Sequence, residues 1–201
     1  MESLAIIAEF NPFHTGHARL IHQVRQAAGP EAAIVIIMSG AFVQRGEPAF
    51  FDKWHRAAWA IDGGADVVIE LPAVYALSSA AGFAQGGVTL AARLGCQALA
   101  CGVEGGTAAD FLSLARRSEG LTACLKAAKK SSAGQQLTDA LMAAAPDEAR
   151  LLQQPNALLA FEYARAMLKQ EQPLTFLPLP RQGRHGDPGL GAAFALSLIH
   201  I

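Results

Sequence analysis

The chain has 201 residues, enough for one domain with a substantial core, and 52% of them are hydrophobic against 16% charged. That balance excludes a disordered chain or a coiled coil, and the longest apolar run, Ala32 to Met38, is far too short to cross a membrane. Sixteen Lys plus Arg against 17 Asp plus Glu leave a net charge of −1, so bulk charge does not mark a basic nucleic-acid binder.

Leu4 to Ala8 reads as a short buried strand, broken by Asn11 and Pro12. Gly16 to Ala28 follows at helical spacing through Leu20, Ile21, Val24 and Ala27, and Gly29-Pro30 closes it. Ala33 to Met38 is a second buried strand, and Ser39 to Phe51 a long polar loop. Asp52 is placed to cap a helix through Ile61. Val67 to Leu71 is a third strand, stopped by Pro72. Ser78 or Ser79 caps a helix to Leu94, with Gly95 after it, and Gln97 to Cys101 is a fourth strand. Thr107 or Asp110 opens another helix. Lys126, Lys129 and Lys130 read as a solvated helical face, Leu137 to Ala145 and Leu158 to Met167 as helices, and Thr175 to Leu179 as a last strand. Arg181 to Gly191 is rich in Gly, Arg and His, as a binding loop is.

Four alternations of strand and helix predict an α/β fold: a parallel sheet with helices on both faces and extra C-terminal helices. Such sheets bind ligands at the carboxyl ends of their strands, here the loops Glu9–Thr15, Ser39–Phe51, Pro72–Ser78 and Gly102–Thr107. Cys96, Cys101 and Cys124 lack metal-type spacing and read as reduced core thiols, and Met1-Glu2-Ser3 lacks the basic start of a secretory signal. A cytoplasmic protein without membrane attachment is expected.

The sharpest motif is Asn11-Pro12-Phe13-His14-Thr15-Gly16-His17, between the first strand and the first helix. A helix N-terminus already favours phosphate, and Gly16 lets a nucleotide approach the backbone. His14 and His17 are placed to donate hydrogen bonds to oxygens that gain charge in a phosphoryl displacement. Metal ligation is less attractive because no third ligand is clear; His22 lies off that face.

His14-Thr15-Gly16-His17 resembles the signature of the nucleotidyltransferase and class I aminoacyl-tRNA synthetase superfamily. The longer blocks Ala8 to His17, Met38 to Pro48, Asp52 to Ala57 and Val68 to Pro72 resemble the tRNA(Met) cytidine acetate ligase family. The resemblance implies a Rossmann-like nucleotidyltransferase fold. It implies that ATP and acetate form acetyladenylate, and that the acetyl group passes to N4 of the wobble cytidine of elongator tRNA(Met), with Mg2+ expected alongside ATP. It implies that Ile7, Ala8, Glu9, Phe10, Asn11, Pro12, Phe13, His14, Thr15, Gly16 and His17 hold ATP, with Gly102, Asn156 and Arg181 as further ATP-binding positions. Two alternatives stay open: a small-molecule adenylyltransferase, and an ATP-binding fragment without turnover.

The remaining blocks carry competing readings. Gln44, Arg45, Lys53 and Arg56 are candidate contacts to phosphate or substrate; Lys53 and Arg56 stand in the first turns of a helix, where cations are mildly unfavourable. Glu70 is expected to pair with Lys53 or Arg56 rather than help bind magnesium. Trp54, Trp59 and Tyr75 read as packing rather than base-stacking residues. The catalytic domain is expected over residues 1–190. Residues 191–201 read as a truncated or atypical tail, since the arginine expected after Phe194-Ala195 is missing.

Overall fold

Runs of Val, Ile, Leu and Ala bounded by turn residues make five strands: β1 (Ser3–Ala8), β2 (Ala33–Ser39), β3 (Val67–Leu71), β4 (Ala98–Val103) and β5 (Thr175–Pro180). In the computed structural model, which describes residues 2–125 and 133–181, they form one sheet in the order β3-β2-β1-β4-β5. Every pairing is parallel; Ile6 lies beside Ile36 on one side and Ala100 on the other, and Ile37 beside Ile69. The central strands are buried on both faces, which is why they read as unbroken apolar runs rather than alternating ones.

Two helices cover one face, α1 (Thr15–Ala28) and α2 (Lys53–Asp62). There Leu4, Ile6, Ile34, Ile36 and Ala100 pack with Ile21, Val24 and Ala60. After β3 the chain passes through the short α3 (Ala73–Ala76) and α4 (Ala80–Arg93) to reach β4 on the far side of β1. Helix α5 (Ala108–Leu125), α6 (Ala133–Ala144), α7 (Pro146–Ala149) and α8 (Pro155–Met167) complete the described helices. On this second face Ala5, Ile7, Ile37, Leu99 and Cys101 pack with Phe83 and Val88 of α4, Phe111 of α5 and Phe161 of α8.

The direction of winding reverses between β1 and β4. Loops leaving those two strands diverge to opposite faces, so a crevice opens at their carboxyl ends. The expected elements are present within a few residues, and Asp52 and Ser79 are the caps of α2 and α4. Helix α3 and two 3-10 turns (Gln44–Gly46 and Arg150–Gln153) stand where the sequence predicts no regular element; they are too short to show a period. Cys96 and Cys101 are buried free thiols, and burial pushes the Cys101 thiol far above its usual range. The side chain of Cys124, Lys126, Lys129 and Lys130, and the segment after Arg181 lie outside the described residues. Among the described residues no helix is long and apolar enough to cross a membrane.

Helix α4 contains Gly82, Gly86 and Gly87, each less favourable than alanine by about 1 kcal/mol in an isolated helix. Packing reverses that preference. A Cβ on Gly86 would overlap Tyr75 Cγ and stand 2.5 Å from Tyr75 Cβ, atoms that no ring rotation removes. Gly86→Ala is therefore expected to destabilise by about 1–3 kcal/mol through overpacking, read as a lowered melting temperature.

Candidate functional site

The first helix begins with a histidine in the capping position. His14 has extended backbone, and its Nδ1 accepts the Gly16 N–H at 3.1 Å. His17 reaches back, and its Nδ1 accepts the His14 N–H at 3.2 Å. Two imidazoles thus take the places that Ser and Glu hold in an ordinary capping box. The arrangement fixes the tautomers. With both Nδ1 atoms accepting, each neutral ring carries its proton on Nε2.

The two rings stack at 3.6 Å between centroids, 21° from parallel. Phe10 and Phe13 pack edge-on at 4.9 Å, and both touch the His17 ring. This burial, then the electrostatic effect of His14 and of Arg181, lowers the His17 pKa to about 3. His17 is therefore a neutral donor at physiological pH. Gly16 has a second reason to be glycine: a Cβ there would stand 2.9 Å from His14 Cε1 and push the capping ring away. The space over Gly63 is similarly filled by Phe13, whose Cζ would lie 2.6 Å from an added Cβ. Phe10 turns the chain out of β1 with φ of 49°, a left-handed value rare for a large side chain, and it is 2% exposed.

The other predicted positions fall into three groups. Gly102 and Arg181 meet at the ends of β4 and β5: the Arg181 N–H donates to the Val103 carbonyl at 2.8 Å, and the arginine stem lies against Gly102, 3.1 Å from where a Cβ would be. The charge of Arg181 is one of the causes that lower the His17 pKa. Asn156, second residue of α8 behind Pro155, donates to the carboxylate of Glu104 at the exit of β4. Sequence reasoning misses Glu104; its signal is its place two residues after Gly102. Ile7 is buried with its side chain against Gly87, so only its backbone faces the crevice end of β1.

The second group lies over β2 and β3. Glu9 Oε1 accepts the Gln44 N–H at 2.6 Å, and Asn11 Oδ1 accepts the Phe50 N–H at 2.7 Å, so the long loop is tied to the motif segment. Lys53 Nζ lies 2.5 Å from Glu70 Oε2, the pairing expected for Glu70. Glu70 also covers Gly40, where a Cβ would overlap its Oε1. Asp52 caps α2 through the Trp54 and His55 N–H groups and contacts the His55 ring at 2.7 Å; the His55 N–H, then its side chain, lowers the Asp52 pKa. The side chain of Arg45 lies outside the described ones.

The third group is Arg56, which differs from its expected role as a phosphate or substrate contact. It is 0% exposed. Its Nε donates to the Phe51 carbonyl at 3.0 Å, its Nη1 to the carbonyls of Glu9 at 2.6 Å and Ser39 at 3.1 Å, and its Nη2 to that of Gly40. The guanidinium is spent on backbone from the ends of β1 and β2, and so it is a positioning residue. Among the aromatics expected to pack, Trp59 meets Phe51 at 5.0 Å and Tyr75 covers Gly86, but Trp54 is 75% exposed and does not pack inside.

A parallel sheet whose reversal crevice meets a helix N-terminus capped by two stacked histidines defines a nucleotidyltransferase-type α/β protein. A family model described as HIGH Nucleotidyl Transferase matches residues 1–190, and the chain belongs to that family. It is 42% identical over 196 residues to the tRNA(Met) cytidine acetate ligase of Syntrophomonas wolfei, covering 91% of this chain and 46% of that protein. To the protein of the same name from Leuconostoc mesenteroides it is 37% identical, over 90% of this chain and 45% of the other. The crystal structure of Thermotoga maritima TmcAL bound with alpha-thio ATP superposes with a TM-score of 0.83 at 30% identity, covering 98% of this chain and 51% of that one. The chain thus spans about half the length of the curated relatives it matches.

Proposed function

We propose that this chain, with its catalytic unit over residues 1–190, activates acetate with ATP. An acetate oxygen attacks the α-phosphorus, the bond to the bridging oxygen breaks, and acetyladenylate and pyrophosphate form. The N4 amine of the wobble cytidine of elongator tRNA(Met) then attacks the acetyl carbonyl, and AMP leaves with the proton passing to solvent. The single observation that carries this reading is the stacked histidine pair that caps the N-terminus of α1, just past the carboxyl end of β1. The relatives called tRNA(Met) cytidine acetate ligase, and the alpha-thio ATP bound in the similar Thermotoga protein, support it.

In this reading the segment Ile7–His17, with Gly102 and Asn156, holds ATP. The Nε2–H groups of His14 and His17 donate to oxygens of the α-phosphate and the departing pyrophosphate, where charge grows most in the transition state. Arg181 adds a charged fork for phosphate. Gln44, Arg45 and Lys53 are assigned as contacts to phosphate or substrate. Magnesium would arrive with the phosphates of ATP; among the described residues no group of three His, Cys, Asp or Glu gathers to cage it. The setting is the cytoplasm, where ATP, acetate and tRNA meet.

The test is ATP–pyrophosphate exchange by the purified chain. Exchange that requires acetate, with acetyladenylate as the product, supports the reading. A chain that binds ATP but exchanges nothing with acetate overturns it for this length of the protein.

A further inference from the structure

Large aromatic rings stand uncovered on the rim beside α2. Phe50 is 80% exposed, Trp54 75% and Phe42 45%. These rings are not on a loose loop. The Phe50 backbone is held by Asn11, inside the motif segment itself. Trp54 is in the first turn of α2, with Lys53 Nζ 5.2 Å from its ring centroid and Lys53 in turn held by Glu70. Asp52 accepts the Trp54 N–H at 2.9 Å. Phe50 and Trp54 are thus anchored at the edge of the candidate site while most of their ring surface meets water.

Exposed aromatic surface of this kind is kept where a partner covers it. The proposed reaction supplies a requirement that fits. A wobble cytidine lies in an unpaired loop, and to react at its exocyclic amine it must leave its stacked neighbours; an exposed ring restores the lost stacking. The chain as a whole has a net charge of −1. Stacking does not need a net positive charge.

We infer that Phe50 and Trp54 form a stacking platform for unpaired RNA nucleotides at the mouth of the site. This rests on the proposed tRNA-directed activity. Its physical signature is binding that depends on unpaired bases and only weakly on salt.

The test titrates the whole chain into a labelled RNA hairpin with an unpaired, cytidine-containing loop, and into the same RNA closed as a full duplex, at several salt concentrations. The hairpin is expected to bind more tightly than the duplex, with a shallow salt slope. Trp54→Ala and Phe50→Ala are each expected to weaken hairpin binding roughly five- to 150-fold, the span of one lost base stack, without lowering the melting temperature. Equal binding of hairpin and duplex, unchanged affinity in both aromatic variants, or a self-association of the chain that Trp54→Ala abolishes would each overturn the platform. Acetate-dependent exchange in a chain that fails these tests leaves the proposed adenylation standing, so the two failures are distinguishable.

Discussion

Replacing Arg56 by methionine is expected to lower the unfolding free energy by about 2–5 kcal/mol, because several backbone carbonyls lose a charged donor at once. Methionine fills the volume of the stem but donates nothing. The carbonyls of Glu9, Ser39, Gly40 and Phe51 then lose their shared donor. Each carbonyl left buried and unpaired costs about 1–3 kcal/mol, partly recovered where water enters. The native cost of the arginine is visible too: burial lowers its pKa, and the charges of Glu9, Asp52 and Glu70 oppose that. Arg56→Lys keeps the charge without the planar fork, so it should fall between wild type and the methionine variant. Urea unfolding measures both. A loss below about 1 kcal/mol in Arg56→Met would show that the four carbonyls need no common donor. Where the variant stays folded, nucleotide affinity should fall as well, because the same bonds hold Glu9 and the loop beyond Ser39.

His17→Ala is expected to reduce acetate-dependent exchange by about 10²–10³-fold, the usual cost of one donor to a developing oxyanion. The pH dependence of stability offers a check independent of turnover. Folding lowers the His17 pKa from 6.5 to about 3, so between those values the unfolded chain binds a proton that the native chain refuses. Stability from this source is fully present above about pH 6.5 and is lost as pH falls toward 3. Melting temperatures at neutral pH and at about pH 4.5 should therefore converge in His17→Asn, relative to wild type. An identical acid loss in both proteins would mean that His17 is protonated without cost in the native state. His14→Asn separates capping from chemistry. Its amide oxygen still caps α1, while the imidazole donor is gone.

Much of this architecture is legible in the sequence alone. Asp52, Ser79, Gly29 and Gly95 bracket their helices because capping and left-handed backbone are local requirements. The motif from Asn11 to His17 is legible for the same reason: a strand, a tight turn and a helix start lie within a few residues. What stays hidden depends on contacts between distant segments. Arg56 reads as a phosphate or substrate contact because its true acceptors are main-chain carbonyls from elsewhere in the chain, and carbonyls leave no mark in a sequence. Trp54 reads as core because tryptophan usually is; only the direction in which α2 presents it decides otherwise. Glu104 escapes notice because its meaning comes from Asn156, more than one helix away in the chain. The double role of His14 is also invisible, since histidine is seldom the residue that starts a helix.

Strand β5 has a consequence for how copies of this protein behave in concentrated solution. Among the described residues it forms one border of the sheet, and it contains Pro178 and Pro180. The N–H groups of Thr175 and Arg181 point inward, to the carbonyls of Gln97 and Val103. Residues 178 and 180 have the opposite parity, so their missing N–H groups are missing from the outward side alone. The ladder to β4 loses nothing, while the outer border offers no regular row of donors to a foreign strand. Proline placed this way works as a stop against fibril-like growth. Exchanging both prolines for threonine would leave the fold its inner bonds and open a template for aggregation.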